Sequence, residues 1–189
     1  MGFRSFSRSG HNMGITRYDE GQRGATLVEA AIVVPLFFLL VFGLVEFGFG
    51  FKDWLSLNHS AREGARVSVA AADDIRADQL ALEALEKGLV GKMINAIDHV
   101  EIANADDNAL VNIYTPNPGE CGWDPCPNPD LNPGFEAFLP WPPGDRQVVP
   151  PNVDRVRVSI VFRHDFVTGF IGDDATWTAS KVMRIEPQG

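Results

Sequence analysis

The sequence predicts an α+β protein in which a long N-terminal transmembrane helix continues into an exterior domain. Three observations predict this fold class. An apolar run covers residues 25–51, a helical pattern follows it, and four short segments of strand-like sequence come later in the chain. We therefore expect a second helix packed on a small antiparallel sheet in the exterior domain, residues 52–189.

The apolar run is long enough to cross a bilayer as one helix. Its 27 residues would extend roughly 40 Å, against a hydrocarbon core of about 30 Å. Its two charged residues, Glu29 and Glu46, are expected near opposite faces of the membrane. A cleavable secretory signal is the alternative, but its apolar core would span only about 7–15 residues. Pro35 removes one helical hydrogen bond and predicts a bend near residues 31–35.

Residues 1–24 form a basic segment rich in Gly, Ser and Arg, and they carry a charge of +2 within a chain of net charge −9. A carboxylate near the start of a membrane helix is costly and usually retained for a function. Glu29 lies five positions after Gly24, an arrangement typical of a prepilin-type leader cut between Gly24 and Ala25. The strongly acidic remainder argues against a nucleic-acid partner.

The orientation in the membrane is not decided by Lys and Arg, because equal numbers lie close to the two ends of the span. The short basic leader favours a cytoplasmic N-terminus. The cysteines and prolines further along the chain suit an exported domain. We therefore expect a single-pass cell-membrane protein with its C-terminal domain outside.

The helical pattern continues past the span. Residues 53–72 contain no proline, and small residues recur there at spacings of four, three and four. These small residues predict a narrow stripe along one side of the helix: Ala61, Ala65, Ser68 and Ala72. A second helix is predicted over residues 74–96. Its apolar face consists of Leu82, Leu85, Leu89 and Met93, and its polar residues elsewhere are Asp78, Glu83 and Lys87.

Four strands are expected after the helices. Residues 99–103 and 109–114 flank an Asp-Asp-Asn cluster and predict a hairpin. Residues 155–163 alternate between apolar and polar side chains, and residues 177–185 form the last predicted strand. The resulting sheet would bury the leucine face of the second helix.

Residues 115–152 hold eleven of the thirteen prolines, both cysteines and two of the four tryptophans. A connection of this length is either a functional surface loop or a disordered insertion. A local disulfide between Cys121 and Cys126 is the first choice, because an exported domain meets oxidising conditions. Free thiols are the alternative if the loop geometry forbids closure.

No catalytic or cofactor motif is evident. His164 and Asp165 are expected in a surface turn at a strand end, and the four histidines lack zinc spacing. One group of loop oxygens resembles part of a calcium site but departs from the EF-hand pattern: Asn128, Asp130, Asn132 and Glu136. We therefore expect no enzyme activity, no metal and no cofactor.

The segment GATLVEAAIVVPLFFLLVFGLVEFGFGFKDWLSLNHSAREGAR, residues 24–66, closely resembles the TadE-like family of tight-adherence pilus assembly proteins. Residues 179–186 also look like the C-terminal strand of such proteins. The resemblance is carried by spaced residues within and just after the span: Glu29, Pro35, Gly43, Glu46 and the run 61–66. It implies a pilin-like fold and a pseudopilin or minor pilin of a Tad (Flp) pilus. The implied partners are a prepilin peptidase, other Tad pilins, the assembly machinery and the lipid bilayer.

Within that resemblance, we expect Glu29 to meet the new α-amine of another subunit and so to set subunit register. Gly43 would allow close helix packing. Glu46 could contact a partner's Lys or Arg, or reach the outer headgroups. The run 61–66 has three charged side chains, Arg62, Glu63 and Arg66. They form either a solvated patch of ion pairs or a docking surface for a partner pilin.

Two other functions remain open at the sequence level. The first is an uncleaved, membrane-anchored binding protein that grips a ligand with its Trp- and Pro-rich loop. The second, more distant, is an anchored hydrolase that uses His164 or Asp165. Retention of residues 1–24 in the membrane protein would favour the first of these over a processed pilin.

Overall fold

The computed structural model describes residues 20–89, 93–169 and 172–186, with only the backbone described for residues 20–23. Within these residues it contains two α-helices and a five-stranded antiparallel sheet, which confirms the α+β class. Most of the predicted leader, residues 1–19, lies outside the described residues. The chain divides into two compact units, residues 1–42 and 43–189.

Helix α1 covers Glu20–Ala71 and includes Pro35. It is long and apolar enough to cross a membrane, with a mean hydropathy of 2.6 in its most apolar window. The helix ends where Ala72 adopts a left-handed φ of 54°. The Ala72 amide still donates a hydrogen bond to the Ser68 carbonyl at 3.1 Å. A single left-handed residue is a common helix terminus, although it usually falls on glycine.

The small-residue stripe faces the interior, as predicted. Each of its members is at most 1% exposed: Ala61, Ala65, Ser68 and Ala72. Narrow side chains allow α1 to approach its neighbours closely, because no long side chain separates the backbones. The second half of α1 is therefore a core helix of the domain.

Helix α2 is shorter than predicted, covering Ala77–Gly88 rather than residues 74–96. Leu89 is already extended, with φ −80° and ψ 135°, and Met93–Ala96 form a separate 3₁₀ turn. Glycine is a poor helix former, and a Cβ at Gly88 would lie 2.6 Å from Ser60 Oγ. The helix stops where it meets α1, and the chain turns there toward the sheet.

The predicted polar side of α2 also needs a correction. Asp78 is fully buried and shares a face with Leu82 and Leu85, because residues four and seven apart lie one above another on a helix. Glu83 and Lys87 are exposed, as expected. Asp78 therefore belongs to the interior face of α2.

The sheet consists of β1 Ile97–Asn104, β2 Val111–Pro116, β3 Trp123–Asp124, β4 Arg155–Asp165 and β5 Asp174–Arg184. Its strand order is β3-β2-β1-β4-β5, and every pairing is antiparallel. The hairpin of β1 and β2, the alternation of β4 and the last strand match the sequence predictions. The short edge strand β3 was not predicted.

The core lies between the two helices and one face of the sheet. Leucines and small residues of α1 and α2 meet the buried side chains of β1 and β4, including Val100, Ile102, Val158 and Ile160. Burial of these apolar groups contributes about 25 cal/mol for each Å² removed from water. This layer fixes the second half of α1 to the rest of the domain.

The proline-rich segment is packed against this core. It contributes β3 and two 3₁₀ turns, Phe135–Phe138 and Pro143–Asp145. Three of its aromatic side chains are at most 4% exposed: Trp123, Phe135 and Trp141. The segment is therefore packed on the core and is not a disordered insertion, and its role as a functional surface loop stays a prediction.

Candidate assembly surface

The first compact unit presents large apolar side chains on all sides of α1. No residue in its most apolar window is buried within the chain. Exposed fractions of 71%, 69% and 59% are found at Leu27, Ile32 and Phe37. A contiguous apolar surface of this extent marks contact with lipid or with other proteins.

The residues predicted to direct processing and register lie on this same surface. Gly24, Ala25, Glu29 and Pro35 are all exposed members of α1. A Cβ at Gly24 would meet no heavy atom within 4 Å. Nothing in the described part of the chain covers Gly24, and the roles of these residues stay predictions.

The run 61–66 has two opposite faces. Ala61, Gly64 and Ala65 are buried, and a Cβ at Gly64 would lie 3.2 Å from the Ala81 carbonyl oxygen of α2. Arg62 is exposed on the other side of the helix. The small residues of the run therefore serve the crossing of α1 and α2, and its ions face outward.

The outward ions include one well-formed pair. Arg66 donates to Glu63 with its Nη2 at 2.5 Å from Oε1 and its Nε at 3.0 Å from Oε2. This hydrogen bonding holds the pKa of Glu63 below its ordinary value. Exposed pairs of this kind contribute little to folding stability. The domain therefore does not depend on this pair for its stability.

A groove of about 580 Å³ opens beside α1 at the start of the second unit. Aromatic side chains form most of its wall, and Phe51 stacks between Phe47 and Trp54 at centroid distances of 6.0 and 6.1 Å. Trp177 of β5 closes the far side, where a Cβ at Gly50 would lie 2.7 Å from its ring. The absence of a side chain at Gly50 therefore lets the indole reach α1.

Among the residues that the structure describes, Glu46 is the one charged residue that lines this groove, and it is 2% exposed. Its Oε1 accepts a hydrogen bond from the Thr168 amide at 3.2 Å. Its Oε2 is buried without a hydrogen-bond partner among the described residues. A buried carboxylate oxygen without a donor is costly, which favours contact with a partner's cation over reach to the outer headgroups. Both roles of Glu46 stay predictions.

Comparison with known proteins gave one result for this region. Residues 24–66 match the TadE-like protein family. The match confirms the resemblance read from the sequence and indicates a protein associated with the Tad pilus. No curated protein and no solved structure gave a significant match to the chain.

The TadE-like segment joins the two compact units. It begins on the exposed apolar surface at Gly24, passes the groove at Glu46 and ends at Arg66 on the crossing with α2. Its large exposed apolar residues continue from the first unit into the second, whereas its small buried residues belong to the second. The segment therefore combines an anchor with the helix on which the domain folds.

Beyond the TadE-like segment, a buried ion pair holds the proline-rich segment to α2. Arg146 donates from Nη2 to Asp78 Oδ1, and both side chains are fully buried. Asp78 Oδ2 also accepts from Tyr114 at 2.6 Å and from Asn112 at 2.9 Å. The Arg146 guanidinium lies over the Trp141 ring at 4.6 Å. The sequence analysis did not predict this network. One signal was available: Asp78 lies four residues before Leu82, which places it on the apolar face of α2.

The network has an electrostatic consequence at β2. Burial and the neighbouring Asp78 carboxylate raise the pKa of Tyr114 far above its ordinary range, so the phenol stays neutral and keeps its donor proton. Asn112 adds two hydrogen bonds to the backbone of Trp141, at 2.7 and 2.9 Å. The proline-rich segment is thus held by polar contacts as well as by aromatic packing.

The two cysteines of that segment are bonded. Cys121 and Cys126 form a disulfide across five positions of the chain. Trp123 between them donates its indole N–H to Glu86 Oε1 at 2.6 Å. The short cross-link thereby lies next to the end of α2.

Of the four side chains considered for calcium, Asn128 and Asp130 already have an engaged oxygen. Asn128 Oδ1 accepts from the Asp130 amide at 2.8 Å, and Asp130 forms an ion pair with Arg76, also at 2.8 Å. Asn132 donates to the Cys126 carbonyl at 3.2 Å. Among the described residues, no group of three His, Cys, Asp or Glu side chains is placed to hold a metal.

His164 differs from its predicted place in a surface turn. It lies within β4, is 4% exposed, and stacks on Trp177 with ring centroids 4.7 Å apart. Its Nδ1 lies 3.0 Å from Asp53 Oδ2, and its Nε2 has no hydrogen-bond partner among the described residues. The imidazole is therefore held inside the domain by an aromatic ring on its face and by a carboxylate at its Nδ1 edge.

Proposed function

We propose that this protein is a non-enzymatic pseudopilin or minor pilin of a Tad pilus. In this proposal, α1 anchors the chain in the cell membrane, with the N-terminus cytoplasmic and the second unit exterior. A prepilin peptidase removes residues 1–24. The mature subunit then packs against other Tad pilins through the exposed surface of its helix.

The observation that carries the proposal is the position of the family match on the structure. The match covers the fully exposed apolar half of α1 together with the part on which the domain folds. A simple anchor needs only an apolar run of about 20 residues and no fixed connection to a domain. The match extends past such a run into a helix that is part of the domain's own core, as a subunit with an assembly role in both parts would require.

The early carboxylate gives the proposal a mechanism. Cleavage after Gly24 would place a charged α-amine four residues from Glu29 on an otherwise apolar surface. Opposite charges attract strongly where water is excluded, and an unpaired charge there is expensive. A neighbouring subunit whose amine meets Glu29 would satisfy both groups and fix the axial position of the two chains.

Mass measurement provides the direct test. The full chain and a Gly24→Val variant are isolated from membranes and from sheared pili, and their intact masses are compared. Because a side chain at residue 24 meets open space, the variant should fold normally. We expect the unaltered chain to lack residues 1–24 and to appear with the pili, and the variant to keep its leader. An unaltered chain that retains its leader and never accompanies pili would contradict the proposal.

The anchored binding protein is less well supported by the geometry. Its predicted grip depended on the tryptophans of the proline-rich segment, and both Trp123 and Trp141 are buried. Large exposed apolar side chains in that segment are Leu131, Phe138 and Val149. They would have to form any ligand contact without the two indoles.

A further inference from the structure

The groove beside α1 combines an apolar wall with an unsatisfied acid. Glu46 is buried among Phe47, Phe51 and Trp177, and its Oε2 lacks a hydrogen-bond donor among the described residues. A fitting occupant supplies a cationic donor on an apolar stem, since a cation can pair with the carboxylate and also contact aromatic faces. Lysine has this form, with a flexible hydrocarbon stem and a compact ammonium group.

One lysine on α1 has the complementary properties. Lys52 is the only Lys or Arg between Gly24 and Ala61, and it is exposed. It makes no ion pair among the described residues. Lys52 lies six positions after Glu46, which places the two residues about 9 Å apart along the helix axis and about 120° apart around it. The two side chains therefore point in different directions from one helix.

We infer that the groove receives Lys52 from a second copy of this chain, whose ammonium group pairs with Glu46. The inference deepens the proposed function and rests on it. Because donor and acceptor lie on different faces, the contact is heterologous, and repetition gives an open helical series rather than a closed dimer. Each copy would be displaced by about 9 Å along the helix axis from the next.

The length of the apolar run agrees with such a displacement. The run extends roughly 40 Å against a hydrocarbon core of about 30 Å, so neighbours offset by about 9 Å can both remain inserted. The next cation along α1, Arg62, lies sixteen residues from Glu46. Its use would require an offset of about 24 Å, which would pull most of one apolar run out of the bilayer. Lys52 is therefore the cation that the geometry selects.

Cysteine cross-linking tests the contact in the full chain. Two differently tagged copies are co-expressed in membranes, one with Glu46→Cys and the other with Lys52→Cys, and then treated with a bifunctional thiol reagent long enough to replace the lost Lys and Glu side chains, because a direct disulfide would be too short. The native cysteines are bonded to each other, so the introduced thiols are the reactive ones. The matched control replaces Lys52→Cys by Leu44→Cys, which is also exposed but lies about 12 Å further down the helix. We expect a mixed-tag dimer with Lys52→Cys and at least about tenfold less with Leu44→Cys.

Charge reversal adds a second measurement. Lys52→Glu, at an exposed site, should reduce self-association about tenfold, and a copy with Glu46→Lys should restore it when paired with the Lys52→Glu copy. Folding of each variant is checked by protease resistance of residues 43–189. Equal cross-linking at residues 44 and 52, or a cross-link only to a different protein or to none, would overturn the inference. Leader removal and pilus association are measured in the same samples, so a failed contact in processed, pilus-associated protein leaves the proposed function standing.

Discussion

The two halves of α1 belong to one helix but have opposite relations to the rest of the chain. Up to Phe42, large side chains such as Leu39 and Leu40 are each 58% exposed, whereas from Leu57 onward a stripe of small residues is completely buried. The first half has apolar bulk on every side, and the second has a narrow apolar face with polar residues around it. The difference shows that the first half is shaped for partners outside the chain and the second for its own domain.

This contrast makes opposite predictions for substitutions in the two halves. Changes in the first half should impair assembly and leave the domain folded. Changes around the second half should unfold the domain first. The largest effect is expected at Glu29. Glu29→Ala should spare membrane insertion but reduce pili in the sheared fraction by roughly tenfold or more, because the partner's amine loses its counter-ion.

A matched control for this variant is Glu83→Ala, which removes an exposed carboxylate from α2. It should leave piliation within about twofold of the unaltered chain, since an exposed carboxylate carries little energy. Normal piliation by Glu29→Ala would remove the register role of that residue.

The next largest effect is expected in the buried network. Arg146→Met would leave Asp78 buried without its cation and should lower the free energy of unfolding by about 3–5 kcal/mol. Denaturant unfolding of the full chain in detergent, followed by tryptophan fluorescence, measures this change. Arg66→Met, which breaks an exposed pair on α1, should give no resolvable change. Similar losses in the two variants would show that burial does not distinguish the two pairs.

A smaller effect is expected where α1 crosses α2. Gly88→Ala places a methyl group 2.6 Å from Ser60 Oγ and 3.2 Å from Ser60 Cα, so the helices must separate. We expect a loss of about 1–3 kcal/mol in the same unfolding assay. Gly43→Ala is the control, because its methyl group meets nothing within 4 Å and should raise helix stability by up to about 1 kcal/mol. If both substitutions lowered, or both raised, the free energy of unfolding, the close packing at the crossing would be contradicted.

The smallest effect concerns the ion pair of Glu63 and Arg66. The pKa of Glu63 is depressed in the folded chain, so its stabilisation is present above the ordinary value of 4.5 and is lost as the pH falls through the folded pKa. The melting temperature of Glu63→Gln should therefore lie slightly below that of the unaltered chain at about pH 7, and the two should converge as the pH falls through the folded pKa of Glu63. A difference in melting temperature that grew as the pH fell would contradict a lowered pKa of Glu63 in the folded chain.

The sequence predicted those parts of the fold that depend on local periodicity. Ala61 and Ala65 follow the helical repeat, and Val156 and Val158 alternate as a half-buried strand requires, so each was assigned correctly from neighbours within seven residues. The end of α2 was predicted too late because Leu89 and Met93 continue the repeat numerically. Contact of Gly88 with Ser60, which is remote in sequence, decides where the helix stops.

The parts that could not be predicted depend on contacts between distant residues. Asp78 and Arg146 are 68 positions apart, and nothing local identifies them as partners. The groove could not be foreseen either, because Trp177 comes to Gly50 only through the pairing of β4 and β5. The exposed apolar surface was predictable from composition alone, since residues 25–45 contain one charged residue and many large apolar side chains.

Gly64 gives the domain a mechanical property. With a hydrogen in place of a side chain, α1 lies so near α2 that an added methyl carbon would stand 3.2 Å from the backbone oxygen of Ala81. Tension applied along the second half of α1 would therefore act in shear on this junction, and the close approach of the two backbones would resist sliding of one helix along the other.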